Sequence, residues 1–363
     1  MLDTRTVTRH FPGVGRAAAG LARALAQVRP AADIRLLHAE PPDPRLPLDV
    51  LAGIACSCSP FDWRQHRVVP HLLRAARASV YHCPFYLMPI RPGVPSIVTC
   101  YDLIPLLVAG LFGPARRAAY RAAHAVAFAT ASAIVVPSAA TRDQVVRFFP
   151  RHASKVHVIP LGCAGALPGT SASGSAHRRA LGVPARYVLH VGSNKPHKNL
   201  ALLHRAWRRV VDGGRAGDAS LVLVGPRDPR YDDGGSAGRN ARVYTLGEVS
   251  DEALAALYEG AALLVLPSRA EGFGLPALEA MAHGTPVACA EVPALVEVTA
   301  GAAALFAPDD EAEVARVIAR VLGDADERAS LAAAGRARAA AFAWDRVAAD
   351  TWALYVAVVG GAA

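Results

Sequence analysis

The sequence feature that most constrains this chain is a glycine-rich turn between an apolar run and an amphipathic segment, within residues 261–282. Residues 261–266 are all apolar, which is typical of a buried strand in a parallel sheet. Gly272 and Gly274 then permit a tight turn, and Pro276 suits the first turn of a helix. The pattern predicts a strand, a glycine turn and a helix whose free N–H groups and positive dipole end can bind an anion.

Two glutamates lie on either side of that predicted helix start. Glu271 is in the turn, and Glu279 lies one helical turn into the helix, which rises about 1.5 Å per residue. A carboxylate repels phosphate, but it accepts hydrogen bonds from sugar hydroxyls. The pair therefore favours a nucleotide-sugar site, and the alternative is a capped surface helix with two solvated glutamates.

The complete stretch, Pro-Ser-x-x-Glu-Gly-Phe-Gly-Leu-Pro-x-Leu-Glu-Ala-Met-Ala, resembles the signature of the retaining GT-B glycosyltransferases of family 4, also called glycosyl transferases group 1. The resemblance implies two Rossmann-like, doubly wound α/β domains that face a central cleft. It also implies that Glu271 faces the donor sugar and that Glu279 binds the nucleotide ribose. The other candidate donor-binding residues of this stretch are Gly272, Phe273, Gly274 and Leu275.

The length of 363 residues predicts two domains, and 53% hydrophobic residues are ample for two cores. Strand and helix signals alternate along the first half, which favours a parallel sheet with helices on both faces. A Gly-, Ala- and Ser-rich stretch after residue 163 predicts a linker. We expect a first domain at 1–165, a linker at 166–182, a second domain at 183–343, and a last helix at 344–363 that crosses back to the first domain.

The first domain opens unusually, because residues 1–4 predict only the end of a first strand. Either the sheet tolerates a stub at its edge, or the true start of the protein lies upstream. A glycine turn at residues 13–15 follows, and the resemblance implies that Gly15 faces the donor diphosphate across the cleft.

Polar residues close two other predicted strands of this domain. The family commonly has histidine where this chain has Tyr101, which can donate a hydrogen bond but titrates too high to be a base at neutral pH. Asp102 either orients the acceptor hydroxyl or caps the following turn. His82 is either a site residue or a structural histidine with satisfied hydrogen bonds.

Cations gather after the first strand of the second domain. Lys195, His197 and Lys198 lie between a strand end and a helix start, where an anion is stabilised. The resemblance implies that Lys198 binds the donor diphosphate, commonly with an arginine shortly before it. This chain lacks that arginine, and Lys195 is preferred to His197 as its replacement because its charge does not depend on pH near 7. The resemblance also brings the nucleobase near residues 243–251, which makes Val249 a candidate contact.

The sequence offers no cluster of metal ligands. Six cysteines lack paired metal-ligand spacing and are expected to be buried thiols, and the Asp-x-Asp at 324–326 predicts a solvated turn. We therefore expect no cofactor and no divalent ion, with the leaving diphosphate stabilised by Lys195, Lys198 and helix-terminal amides. No carboxylate can be assigned as a covalent nucleophile, which favours a front-face displacement.

Positive charge is concentrated in the first half of the chain. Residues 1–170 hold 19 Lys and Arg against 8 Asp and Glu, whereas the remainder holds 20 against 22. Such a surface suits an anionic membrane that presents a lipid-linked acceptor, or it is simply solvated. No nucleic-acid recognition motif accompanies it. The basic residues interspersed with apolar ones are Arg64, Arg67, Arg74, Arg77, Arg116, Arg117 and Arg121.

The resemblance, together with these observations, implies a retaining glycosyltransferase that moves a hexose-type sugar, with mannose as one candidate, from a nucleoside-diphosphate sugar to a glycan or lipid-linked acceptor in bacterial cell-surface polysaccharide synthesis. The alternatives are a GT-B epimerase or phosphorylase, and a non-catalytic nucleotide-sugar-binding protein. No segment approaches the roughly 20 apolar residues that span a bilayer, and no signal peptide is evident. The expected location is cytoplasmic, either free or peripheral on the inner face of the cell membrane.

Overall fold

The computed structural model describes residues 1–8, 12–163, 171–232 and 242–361. It divides into two compact units, Met1–Gly162 with Phe342–Ala363, and Cys163–Ala341. Each unit is a parallel sheet covered by helices, as the alternation of strand and helix signals predicted.

The strands of the two sheets follow in chain order. They are β1 (Leu2–Asp3), β2 (Arg35–His38), β3 (Ala52–Ala55), β4 (Tyr81–Cys83), β5 (Ser96–Thr99), β6 (Ala133–Val136), β7 (Val156–Val158), β8 (Tyr187–Val191), β9 (Ser220–Val224), β10 (Val243–Gly247), β11 (Leu263–Leu266), β12 (Val287–Ala290) and β13 (Ala304–Phe306).

The helices connect these strands. They are α1 (Pro12–Val28), α2 (Gln65–Ala75), α3 (Ile104–Leu107), α4 (Pro114–Thr130), α5 (Ala139–Phe148), α6 (Ser171–Ala180), α7 (Leu200–Asp212), α8 (Asp251–Gly260), α9 (Leu275–Ala282), α10 (Pro293–Thr299), α11 (Glu311–Gly323), α12 (Ala325–Ala339) and α13 (Trp344–Gly360). Among the described residues, none of these helices has the length and apolar character needed to cross a bilayer.

The first unit has the strand order β3-β2-β1-β4-β5-β6-β7. β1 is as short as the sequence predicted, but the edge position considered for it is wrong. Leu2 pairs with Leu36 of β2 and with His82 of β4, so β1 lies inside the sheet. A short central strand is tolerated because Leu2 is buried and the Met1 amino group donates to the Val80 carbonyl at 2.9 Å.

The last helix, α13, packs against α1 in the first unit. The indole of Trp344 lies between two glycines: a Cβ atom added at Gly20 would be 2.3 Å from its Cζ2, and one at Gly162 would be 2.2 Å from its Cδ2. Val347 and Ala348 of α13 extend the same hydrophobic core. The missing side chains at the two glycines therefore allow the close approach of the last helix.

The predicted linker at 166–182 is wrong in part, because α6 occupies residues 171–180. Arg178 of α6 donates to the carbonyl of Ala256 in α8 at 3.0 Å, which ties the helix to the second unit. An Ala- and Arg-containing segment can be helical once such tertiary contacts are available. Residues 166–170 of the predicted linker lie outside the described residues.

The second unit has the strand order β10-β9-β8-β11-β12-β13. The direction of winding reverses between the adjacent strands β8 and β11, which is the point where doubly wound folds bind ligands, at the carboxyl ends of the strands. The ends of β8 and β9 approach closely here. A Cβ atom at Gly225, whose φ is +131°, would lie 2.3 Å from the carbonyl oxygen of Gly192, so only glycine fits.

Candidate functional site

The two motifs singled out in the second half of the sequence meet at the winding reversal of the second sheet. The cationic segment follows β8, and the glutamate-containing turn follows β11. Because β8 and β11 pair directly, their carboxyl ends bring Lys198 next to Glu271, although 73 residues separate them in sequence.

Lys198 and Glu271 form an ion pair, in which Lys198 Nζ donates to Glu271 Oε1 at 2.7 Å. Their side chains are only 16% and 8% exposed, respectively. Burial alone would raise the pKa of Glu271, but the adjacent ammonium and its hydrogen bond hold that pKa below the usual value. Glu271 is therefore an ionised, mostly buried carboxylate at neutral pH.

Helix α9 begins directly after Glu271, as predicted. Gly274 caps it with a φ of +100°, and a Cβ atom there would lie 2.6 Å from Leu295 Cδ2. Phe273 is buried, and Leu275 is half-buried at the first helical position. No described side chain caps α9, and its positive dipole end begins four residues after Glu271, the partner of Lys198.

Glu279 lies on α9 and is half-buried. Tyr258 of α8 donates its hydroxyl proton to Glu279 Oε2 at 2.8 Å. This contact orients the carboxylate, a group that accepts hydrogen bonds of the kind that ribose hydroxyls donate.

The other two cations of the β8 segment differ in environment. Lys195 is exposed, whereas His197 is buried. Burial, helped by the charge of Lys198, lowers the pKa of His197 to about 4. His197 is thus neutral at pH 7, which leaves Lys195 as the permanent charge beside Lys198.

Sequence reasoning missed His190, which lies in β8 below the ion pair. Its Nδ1–H donates to the Val265 carbonyl at 2.9 Å, and burial, together with the nearby Lys198 charge, lowers its pKa to about 4. Its Nε2 is buried and has no partner among the described residues. A histidine inside the apolar run at residues 187–191 was the available signal.

Val249 lies half-buried in the connection from β10 to α8. Ser250 accepts a hydrogen bond from the Ala253 N–H at 3.2 Å and caps α8. The backbone N–H of Gly225 donates to the Gly247 carbonyl at 2.8 Å, which joins the carboxyl ends of β9 and β10. The Gly- and Asp-rich residues 233–241 before β10 lie outside the described residues.

The candidate residues of the first unit follow β5. Asp102 Oδ1 accepts a hydrogen bond from the Ile104 N–H at 3.0 Å, so its carboxylate caps the following turn, one of the two roles considered for it. Tyr101 is half-buried, and desolvation raises its pKa, which keeps the phenol protonated as a donor. An acceptor-orienting role for Asp102 stays a prediction.

The glycine turn predicted at residues 13–15 is instead the first turn of α1. Pro12 begins the helix, and a proline is readily accommodated there. A Cβ atom at Gly15 would lie 3.4 Å from Val7 Cα, so the helix start packs closely on the backbone after β1. Its contact with a donor diphosphate stays a prediction.

His82 is structural. Its Nδ1 bonds the Tyr355 hydroxyl at 2.7 Å and its Nε2 bonds the Thr99 hydroxyl at 2.8 Å, with only 2% of the residue exposed. Both ring nitrogens are therefore used within the first unit, which contradicts the site role considered for His82.

In the first sheet, the winding direction reverses between β1 and β4, and charged side chains of the protein itself lie at this point. Arg5 and Asp3 form a buried ion pair at 2.7 Å, and Tyr81 donates to the same carboxylate at 2.5 Å. Although burial opposes the charge on Arg5, Asp3 raises its pKa. This region is thus occupied by a structural ion pair.

The described residues contain no group of three side chains arranged to hold a metal ion. Asp324 accepts a hydrogen bond from the Glu327 N–H at 2.9 Å and caps α12, so the Asp-x-Asp lies in a turn between helices. The six cysteines are buried free thiols.

Two family models match different halves of the chain. One described as "Glycosyltransferase Family 4" matches residues 12–164, and one described as "Glycosyl transferases group 1" matches residues 185–324. Each match corresponds to one structural unit.

Curated relatives are similar in sequence over much of the chain. The O-antigen chain mannosyltransferase B of Escherichia coli is 29% identical over 287 residues, covering 77% of this chain and 74% of the relative. The MMP alpha-(1->4)-mannosyltransferase of Mycolicibacterium hassiacum is 34% identical over 230 residues, covering 61% of this chain and 53% of the relative. The chain thus matches about half the length of the second relative.

Solved structures share the fold. Anabaena HepE in complex with UDP and glucose has a TM-score of 0.77 at 20% identity, and each chain is covered to 98%. Sucrose-phosphate synthase from Thermosynechococcus elongatus has a TM-score of 0.72 at 24% identity, with coverage of 98% and 94%. Two Rossmann-like domains of the GT-B class are therefore the fold of this chain.

Proposed function

This chain belongs to the group 1 glycosyl transferases and is a glycosyltransferase, and from that premise we propose that it moves a hexose from a nucleoside-diphosphate sugar to an acceptor hydroxyl with retention of configuration. The observation that carries the proposal is the meeting of Lys198, Glu271 and the start of α9 at the winding reversal of the second sheet. A cation, a carboxylate and a helix N-terminus suit the diphosphate and the hydroxyls of such a donor.

Each part of the donor is assigned to its own residues. Lys198, Lys195 and the amides from Gly272 to Leu275 bind the diphosphate, and Glu271 accepts hydrogen bonds from the sugar. Glu279, oriented by Tyr258, binds the ribose. Gly15 and Val249 complete the contacts to the diphosphate and the base.

Transfer proceeds by front-face displacement. The bond from the anomeric carbon to the phosphate oxygen breaks, and the acceptor oxygen bonds to the same face of that carbon. The acceptor proton passes to the departing phosphate oxygen. The developing charge on the diphosphate is stabilised by the lysines and helix amides, whose preorganised dipoles require no rearrangement at that moment.

The acceptor is proposed to be a glycan or a lipid-linked glycan, and the donor sugar to be mannose. The names of the relatives, O-antigen chain and serotype-specific mannosyltransferases, support both choices. Tyr101 and Asp102 are proposed to contact the acceptor.

We also propose that the enzyme docks on the inner face of the cell membrane. Phe61, Trp63 and Ile90 are 60%, 68% and 51% exposed. The Ile90 N–H donates to His66 Nδ1 at 3.2 Å, which brings the Ile90 backbone next to the segment that carries Phe61 and Trp63. Residues 63–142 hold nine arginines and one acidic residue, so the region suits an anionic lipid surface.

A pair of variants tests the donor site. Glu271→Ala should lose transfer by about 100-fold or more without any loss of nucleoside-diphosphate affinity. Lys198→Ala should weaken diphosphate affinity by about 10- to 100-fold, because it removes a charge-assisted hydrogen bond. A thermal-shift screen across nucleotide-sugars identifies the base first, and calorimetry then measures affinity. An equal loss of nucleotide affinity in both variants would refute this division of roles.

Metal independence is tested separately. Activity should survive saturating EDTA, because the proposed charge stabilisation comes from lysines and amides. Restoration of a lost activity by added Mn²⁺ or Mg²⁺ would overturn this part of the proposal.

A further inference from the structure

Lys198 and Glu271, which have separate roles toward the donor in the proposed function, are bonded to each other in the structure. Lys198 donates to Glu271 at 2.7 Å, yet the proposed function gives the lysine to the diphosphate and the carboxylate to the sugar. Both side chains are mostly buried, so water is a poor substitute for either partner.

The charge of Lys198 is also what keeps the buried Glu271 carboxylate ionised. The two histidines whose charges would act on this carboxylate, His190 and His197, have pKa values lowered to about 4 and are neutral at pH 7. Opening the ion pair therefore leaves the buried carboxylate without a charged partner among the described residues, next to an incoming anion and with the Ser268 hydroxyl as an uncharged donor. Such an arrangement is costly unless another donor of hydrogen bonds replaces the ammonium.

We propose that Lys198 exchanges Glu271 for the diphosphate when the donor binds, and that Glu271 competes for Lys198 again once the sugar has left. This inference rests on the proposed function. A complete nucleotide-sugar offers hydroxyls to Glu271 in place of the ammonium, whereas the product nucleoside diphosphate offers none. The ion pair therefore reforms at the expense of product binding and promotes product release.

A double-mutant cycle measures this competition. Glu271→Gln keeps the size of the side chain and removes the charge, and Lys198→Met keeps most of the lysine stem. UDP, GDP, ADP, CDP and dTDP are titrated calorimetrically into the wild-type enzyme, and the one that binds most tightly is used for all variants. Glu271→Gln should bind it about tenfold more tightly than wild type, and most of that gain should disappear in the Lys198→Met background.

Glu279→Gln is the matched control. It removes the same charge near the start of α9, from a carboxylate that accepts a hydrogen bond from the Tyr258 hydroxyl and is not paired with Lys198 in the structure. Its effect on nucleotide affinity should be the same with and without Lys198→Met. Thermal unfolding of each variant verifies that the fold is kept.

The outcomes separate the exchange from simple repulsion. If Glu271→Gln tightens binding equally in both backgrounds, the carboxylate merely repels the diphosphate and the exchange is refuted. The exchange is also refuted if Glu271→Gln does not tighten binding at all. If the wild-type enzyme binds none of UDP, GDP, ADP, CDP and dTDP, the proposed function itself fails.

Discussion

Buried histidines make the stability of this protein depend on pH. Burial is the main cause that lowers the pKa of His82 to about 3 and the pKa values of His124, His190 and His197 to about 4. Each is neutral in the folded protein and takes up a proton on unfolding below its ordinary pKa of about 6.5. Acid therefore favours the unfolded state.

The predicted result is a loss of stability as the pH falls from about 6.5 towards 4. In that range the unfolded state binds more protons, and each such histidine lowers the free energy of unfolding by up to about 1.4 kcal/mol per pH unit. Urea unfolding at pH 7.5 and 5 measures this. His82→Gln should reduce the number of protons taken up on unfolding by about one, which lowers the slope of the unfolding free energy against pH. An unchanged slope in that variant would contradict the lowered pKa of His82.

At the donor site, the residue type needed at Gly274 and the ionisation state of Glu271 are each determined by one neighbouring side chain. Gly274 must be glycine because of its φ of +100° and the nearby Leu295 side chain. Glu271 is ionised because Lys198 lies 2.7 Å away. The chemistry assigned to each side chain thus depends on one specific partner.

Among the elements, the packing of α13 on α1 determines how the end of the chain joins the first unit. Trp344 occupies the space between Gly20 and Gly162, and Trp352 and Tyr355 of α13 contact the same hydrophobic core. A large indole against two glycines leaves no room for added atoms.

Gly20→Ala should therefore destabilise the protein by about 1–3 kcal/mol, because its methyl group would overlap Trp344. Gly13→Ala, on the same helix but with open space around its Cβ position, is the control and should be neutral or slightly stabilising. The urea midpoint of each variant is the measurement. Equal midpoints for the two variants would show that the contact at Gly20 relaxes without cost.

At the scale of the whole molecule, charge is distributed unevenly between the two halves. The excess of 19 basic over 8 acidic residues lies within residues 1–170, and it includes the exposed Arg64 and Arg67 beside Trp63. Arg67 lies over the Trp63 ring at 5.8 Å, which combines a cation with an apolar side chain at one place on the surface. This combination suits the interface of an anionic bilayer.

The enzyme should consequently sediment with anionic vesicles at low salt and much less with neutral ones, since each basic residue near the surface contributes about 1 kcal/mol. Reversing the charges of Arg64, Arg67, Arg116 and Arg121 should abolish the difference. Arg117 is left unchanged because it donates to the Leu106 carbonyl. Equal binding to both vesicle types would leave a solvated basic surface as the explanation.

The sequence by itself determined the local features of this protein. Apolar runs predicted the strands, and glycine and proline spacing predicted the turn before α9. These features depend on a few neighbouring residues, so a short stretch contains the necessary information. The resemblance of one such stretch was enough to predict the family and its two-domain fold.

Only the tertiary structure decided which distant side chains meet. It paired Lys198 with Glu271, used both nitrogens of His82 within a core, and put β1 inside its sheet. It also made a helix of most of the predicted linker, through the bond from Arg178 to α8. The physical reason is that strand order and long-range packing, rather than local propensity, determine these contacts. The ionisation state of a buried group depends on the residue that packs next to it, which can be far away in sequence.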